Sequence, residues 1–416
     1  MSDLHSWPLH FLIPPLRKQV NRIFPHCLRR HGGAHKMGWS DLPADLVGAI
    51  AGRLATELAD LARFRSVCRP WRSGSAAHAA RLRVPRLLIP MMSYDTSTER
   101  LVWSLADDRL RDAPLPEAPG GHSFVFASHH GWILTVVAGD GGFKASLVYH
   151  FTGVSEQLPR LPSSFGGDGG GRLTFDSLSW DWSPQGVVVS PGKGAFFCRP
   201  GDGSWRSVGC SSAAVTSVTA CDGALYLFDR KTRSATVVDA GTLAVAAVIE
   251  APALEIPRWQ RDEIEANLVV CPHELILLVL SKLHHPWCSG WPSFCKTFRA
   301  DADPGAVTGG RSPSWSEVAG IGDRAVFVDN LRAFCVEAND HNGLRRNCVY
   351  EASSYHAIDD DFDYSFDRYG RMYSVAVLDF ANHTTESLTF GSLVKLWSPG
   401  DGQCSSWLMP SYRNLH

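Results

Sequence analysis

The sequence predicts a mainly β protein, with a small helical module ahead of a large all-β domain. Between residues 40 and 83, apolar residues recur at helical spacing. From about residue 86 the period shortens to two, in short β-branched and aromatic runs punctuated by Gly, Pro and Asp. A chain of 416 residues with 44% hydrophobic content is long enough for one small domain and one large one.

Residues 1–36 carry six basic residues and one acidic one, and they read as a disordered basic extension. Pro8, Pro14 and Pro15 interrupt its apolar patch, and its basic residues follow that patch, which argues against a secretory signal. A transit peptide is the alternative reading.

Residues 37–85 form the helical module. In WSDLPADLVGAIAGRL, Leu46, Ile50 and Leu54 recur at every fourth position with Val47 beside them. Ser40 or Asp41 can cap this helix, and Pro43 is tolerated in its first turn. Gly48 and Gly52 each cost roughly 1 kcal/mol in a helix interior, so packing must hold it. Asp60 can cap a second helix, LARFRSVC. Pro70 opens a third, running to about Pro85.

Residues 86–416 hold the β runs, among them GWILTVV, GAFFCR, GALYLFD, ELILLVL and MYSVAVLDF. SWRSV (204–208) returns as SWSEV (314–318), 110 residues later. Two units of 55 residues make slightly long propeller blades, which commonly run about 40–50 residues. The length then accommodates six or seven.

The chemistry is sparse. Lys+Arg number 40 and Asp+Glu 42, so overall charge points to neither nucleic acid nor membrane. No apolar run approaches the roughly 18–20 residues that span a bilayer. The 11 cysteines are scattered without a CxxC pair, which fits reduced thiols in the nucleus or cytoplasm. GVVVSPGKG (186–194) has the wrong glycine spacing for a phosphate loop, and Gly194 stands where Ser or Thr must hold magnesium. DDDFD (359–363) lacks the glycine and closing glutamate of a calcium loop. His284, His285, Cys288 and Cys295 match no zinc-finger spacing, and His31 and His35 fall in the basic extension. No catalytic motif, metal site or cofactor site is expected, and no enzyme activity.

RFRSVCRPWRS (63–73) interleaves four arginines with Phe64, Val67, Cys68 and Trp71. That is too many apolar residues for the inner side of so short a helix, so part of them must face a partner. The arginines then sit at the rim. Docking against the chain's own β domain is the bland alternative. A DNA-associated regulator using the basic N-terminal fifth is another, whose affinity would fall steeply with salt. A propeller binding other ligands is the third.

LPADLVGAIAGRL…DLARFRSVCRPWRS closely resembles an F-box, over residues 39–73. The resemblance implies docking to the Skp adaptor of a cullin–RING ubiquitin ligase. Leu42 and Pro43 would seat the loop, and Leu46, Ile50, Leu54, Leu61, Phe64, Val67, Cys68 and Trp71 would supply module core and interface. The rest resembles plant F-box proteins whose kelch-like β-propeller is a domain of unknown function. LVWSLADDRLRDAPLPE (101–117), SHHGWILTVV (128–137), EQLPRLP (156–162), the segment 325–352 and SWLMPS (406–411) carry that likeness in order. After Tyr350 the family pattern breaks at EASSYHA, so an irregular last blade is expected. The family implies a substrate receptor of an SCF-type ligase: non-catalytic, cofactor-free, off the membrane, not bound to nucleic acid, presenting an unidentified protein target.

Overall fold

The computed structural model describes residues 39–54, 58–82, 84–90, 100–106, 108–112, 123–127, 130–139, 142–149, 154–162, 165, 178–210, 214–256, 264–281, 291–301, 313–340, 342–357, 370–388 and 406–408. The basic extension, the acidic run 359–363 and three of the four candidate zinc residues lie outside them. The chain divides into two compact units between Ala80 and Arg81.

In the first unit a 3-10 turn (Trp39–Asp41) precedes α1 (Ala44–Leu54), α2 (Leu58–Ser66), α3 (Arg69–Gly74) and α4 (Ala76–Leu82). The expected third helix is thus two. Ser75 is buried at the break, where its hydroxyl donates to the Trp71 carbonyl at 2.6 Å and shares that oxygen with its own backbone N–H at 3.2 Å. Val47, Ile50, Ala51 and Leu54 face inward on α1, joined by Leu61 and Phe64 of α2 and Trp71 of α3. The two α1 glycines sit where helices meet. A Cβ on Gly52 would lie 2.9 Å from the His78 ring, and one on Gly48 3.6 Å from the Gly74 carbonyl.

The second unit is a six-bladed β-propeller. Blade 1 contains β1 (Arg86–Pro90), β2 (Arg100–Ser104) and β3 (Arg109–Asp112). Blade 2 contains β4 (Ser123–Ala127), β5 (Trp132–Gly139), β6 (Gly142–Tyr149) and β7 (Ser155–Gln157). Blade 3 contains β8 (Ser179–Ser183), β9 (Gly186–Ser190), β11 (Ala195–Cys198) and β12 (Arg206–Val208); β10 (Gly192–Lys193) and β13 (Ala214–Val215) pair separately. Blade 4 contains β14 (Ser217–Cys221), β15 (Ala224–Asp229), β16 (Ser234–Asp239) and β17 (Val245–Glu250). Blade 5 contains β18 (Ile264–Cys271), β19 (Glu274–Ser281), β20 (Cys295–Asp301) and β21 (Ser316–Val318). Blade 6 contains β22 (Arg324–Val328), β23 (Ala333–Glu337), β24 (Cys348–Ala357), β25 (Gly370–Asp379) and β26 (Thr384–Leu388). Finally β27 (Ser406–Leu408) returns to pair with β1, so the two ends of the domain share one blade.

The core is a set of wedges, one at each seam. On β19, Leu275, Leu277 and Val279 pack toward blade 4, while Ile276, Leu278 and Leu280 pack toward blade 6. Both faces of the blade are therefore buried, which is why ELILLVL reads as an unbroken apolar run. The repeated SWRSV and SWSEV form the outer strands of blades 3 and 5, two blades apart. In both, the tryptophan indole N–H reaches the preceding blade: Trp205 donates to the Pro159 carbonyl at 3.0 Å, and Trp315 to the Glu250 carbonyl at 2.8 Å.

Blade 6 is the irregular one, through its strand order. Its innermost strand is β23, and β22 lies second, paired antiparallel to β23 but parallel to β24. Parallel neighbours need a return path between them, and here the inner strand supplies it.

Candidate functional site

The ten residues proposed for the adaptor face fall into two groups. Ile50, Leu54, Leu61, Phe64 and Trp71 are buried within the helical unit, and Phe64 stacks on Trp71 with ring centroids 4.4 Å apart. They shape the surface from beneath. Pro43 is exposed, Leu42, Leu46 and Cys68 are half-buried, and Val67 is 53% exposed. The Trp71 indole donates to the Trp39 carbonyl at 2.9 Å, which ties the strand of chain leading into Leu42 and Pro43 to the α2–α3 corner carrying Val67 and Cys68. The unit thus offers an apolar surface that its own core does not consume.

The arginines of RFRSVCRPWRS divide as well. Arg65 donates to the Arg72 carbonyl at 3.0 Å and to the Ser75 hydroxyl at 3.1 Å, while Arg72 donates back to the Arg65 carbonyl at 3.4 Å. These two brace α2 against α3. Arg63 pairs with Asp60 at 3.1 Å on the surface, and Arg69 is exposed.

In the propeller, the turn Asp329–Arg332 between β22 and β23 reaches across one end of the central channel. Asp329 is 3% exposed and Arg332 4%. Their side chains lie 3.6 Å apart; Asp329 accepts the Trp407 backbone N–H at 3.0 Å, and Arg332 donates to the Trp407 carbonyl. Arg230 holds the same turn from blade 4, donating to the carbonyls of Asn330 at 2.5 Å and Asp329 at 3.4 Å and to Asn267 Oδ1 at 2.9 Å. Ser179 of blade 3 donates to the Leu331 carbonyl at 3.4 Å. Blades 3 and 4 and the C-terminal strand thus converge on these four residues of blade 6.

Two acids stand beside this turn, Asp181 buried and Glu351 half-buried. The Asp181 carboxyl is pushed up by burial, opposed by His130, whose ring lies 4.0 Å away, and by backbone N–H groups of Ala220 and Trp182. Glu351 is raised to about 7 by burial and by the neighbouring Glu265, with Arg230 pulling the other way. Among the described residues no group of three or more His, Cys, Asp or Glu could hold a metal ion.

The profile of the KIB1-4 beta-propeller family matches residues 102–379, from β2 to the end of β25. The chain belongs to that family. The match leaves the closing strand β27 and the helical unit outside. Two Arabidopsis thaliana proteins supply the other likeness. One, described as "Putative F-box protein At1g65770", is 60% identical over 35 residues, 8% of this chain and 9% of that one. The F-box protein At2g26160 is 46% identical over 41 residues, 10% of this chain and 12% of that one. The matched stretches span only about a tenth of those relatives. A solved Lactobacillus plantarum protein is 12% identical over 77% of this chain and 82% of its own, with a TM-score of 0.34 that carries no argument.

At the opposite end of the channel, this KIB1-4 propeller opens a cleft between blades 5 and 6 of about 560 Å³, lined by Glu274, Arg299, Asp323, Arg324 and Arg346. Glu274 holds both walls together, 3.3 Å from Arg299 and in contact with Arg324. An adjoining cleft of about 530 Å³ is lined by His273, Asp301 and Glu337, and also by Cys271 and Cys335. Those two cysteines are bonded, with Cα atoms 6.6 Å apart and a separation of 64 positions in sequence. The scattered cysteine pattern fits reduced thiols better than a disulfide framework, and this one pairing stands beside six free cysteines among the described residues. It arises because adjacent inner strands bring distant residues together, which spacing alone does not reveal.

Proposed function

We propose that this protein is the substrate-receptor subunit of an SCF-type ubiquitin ligase. The helical unit docks to a Skp adaptor, and the propeller presents a target protein to the ligase. The observation that carries this reading is the unconsumed apolar surface of Leu42, Pro43, Leu46, Val67 and Cys68, on a chain that shares short stretches with F-box proteins and carries a propeller. Such a subunit works by effective concentration, holding target lysines near the charged conjugating enzyme, and needs no catalytic group of its own. A nuclear or cytoplasmic location goes with it.

Co-purification with a plant Skp adaptor tests the reading, using the native chain, Leu42→Ala/Pro43→Ala and Val67→Asp. All three positions are at least partly exposed, so the variants are expected to fold. A one-to-one complex lost in both variants supports docking through this surface. A folded native chain that leaves the adaptor unbound at micromolar concentration overturns it.

A further inference from the structure

Burial pushes the lone thiols of Cys198, Cys221 and Cys295 up to about 12, and that of Cys348 to about 11, so they remain protonated and unreactive at physiological pH. Cys271 and Cys335 differ in position and access. Cys271 ends β18 and Cys335 stands in β23, the neighbouring innermost strands of blades 5 and 6. Cys271 is buried, Cys335 is half-buried, and both line the cleft of about 530 Å³, which gives small thiols and disulfides a way in. A thiol pair within bonding reach in a reducing compartment follows the local redox poise rather than staying fixed.

We propose that Cys271 and Cys335 form a reversible thiol–disulfide couple that ties blade 5 to blade 6 and sets the shape of the cleft between them. The oxidant is a small disulfide of the glutathione class. The more accessible Cys335 thiolate attacks one of its sulfurs and expels a thiol, leaving a mixed disulfide on Cys335. The Cys271 thiolate then attacks the Cys335 sulfur and expels the second thiol. One protein S–S bond forms, one small-molecule S–S bond breaks, and the two protein protons end on the two released thiols. A small dithiol reverses the exchange.

The test uses the full chain in oxidised glutathione and, in parallel, in dithiothreitol under native conditions. Free thiols are then alkylated, the protein digested, and the peptides identified by mass spectrometry. The expected result is a linked peptide pair holding Cys271 and Cys335 in the oxidised sample, and both residues alkylated in the reduced one. Native protein should also melt roughly 5 °C higher when oxidised, because a crosslink over so long a loop restricts the unfolded chain. Cys335→Ser should abolish that difference. Both thiols alkylated in oxidised glutathione, or carrying separate glutathione adducts, would overturn the proposal. So would a bond that survives dithiothreitol in the folded protein, since that describes a fixed staple. The peptide readout needs no variant, so a poorly folding Cys335→Ser leaves the test intact.

Discussion

Glu351 shows how much a single half-buried acid can ask of this propeller. Burial and Glu265 raise its carboxyl to about 7 from an ordinary 4.5, and Arg230 only partly offsets them. The folded chain therefore holds a proton here that the unfolded chain has released. Between those two values stability falls as pH rises, and the full cost is present above about pH 7. Glu351→Gln removes the charge and keeps the shape. We expect the variant to be more stable than the native chain at pH 8, by about 1–3 kcal/mol, and nearly unchanged at pH 5. Thermal melts of both proteins at the two pH values check this, and an equal shift at both would refute it. Nothing around Glu351 in the sequence announces such a residue. It sits in a β run whose neighbours in space come from blades 4 and 5, so its environment is set by topology alone.

At the scale of the element, the helices were legible to within about a turn. Leu46, Ile50 and Leu54 looked like the inner stripe, yet Val47 is the buried residue and Leu46 only half-buried. A spacing of four overshoots the 3.6-residue turn, so the set drifts round the helix and its first member leaves the core. Of the α1 glycines, read as liabilities, Gly52 has a use, since a Cβ there would meet the His78 ring at 2.9 Å. Gly74 is the tightest of the helical glycines: a Cβ there would lie 2.8 Å from Val47 Cγ1. Gly74→Ala is therefore expected to destabilise the helical unit by about 1–3 kcal/mol, as overpacking does. Gly48→Ala meets only ordinary contact and should stabilise it by up to about 1 kcal/mol. Opposite signs in chemical denaturation of the two variants are the result to look for; equal losses would mean that Gly48 is also a contact glycine. The strand signals fared well because each blade buries both faces, yet the parallel pair in blade 6 escaped, since β22, β23 and β24 look alike as sequence. The Trp repeat was readable as a period, and its mechanical meaning emerged only with the two matching indole bonds. Trp205→Phe keeps the ring and removes one such bond, so we expect a loss of about 1 kcal/mol in denaturant titration. No change would assign the repeat to packing alone.

For the whole molecule, the decisive feature is how the ring is shut. Pairing β27 with β1 puts the last strand of the described residues in the first blade, so residues 406–408 complete that blade and help to shut the ring. The Trp407 indole donates to the Val328 carbonyl at 3.0 Å, and its ring lies 4.9 Å from Phe327. The Asp329–Arg332 turn clasps the Trp407 backbone from both sides. Closure thus depends on blade 6 as much as on blade 1, and the likeness at SWLMPS could place the strand but not this clasp. Removing the Arg332 side chain leaves Asp329 buried beside Trp407 without its cation, a change that typically costs about 3–5 kcal/mol. Arg332→Met should therefore lower the melting temperature strongly and expose the C-terminal segment to limited proteolysis before the rest of the propeller. A chain ending at Ser405 should instead be cleaved early in blade 1, because β1 keeps only its pairing with β2 there. If Arg332→Met melts cooperatively at the native temperature and resists the protease, the ring is held by strand pairing alone and the buried ion pair serves only to block the channel.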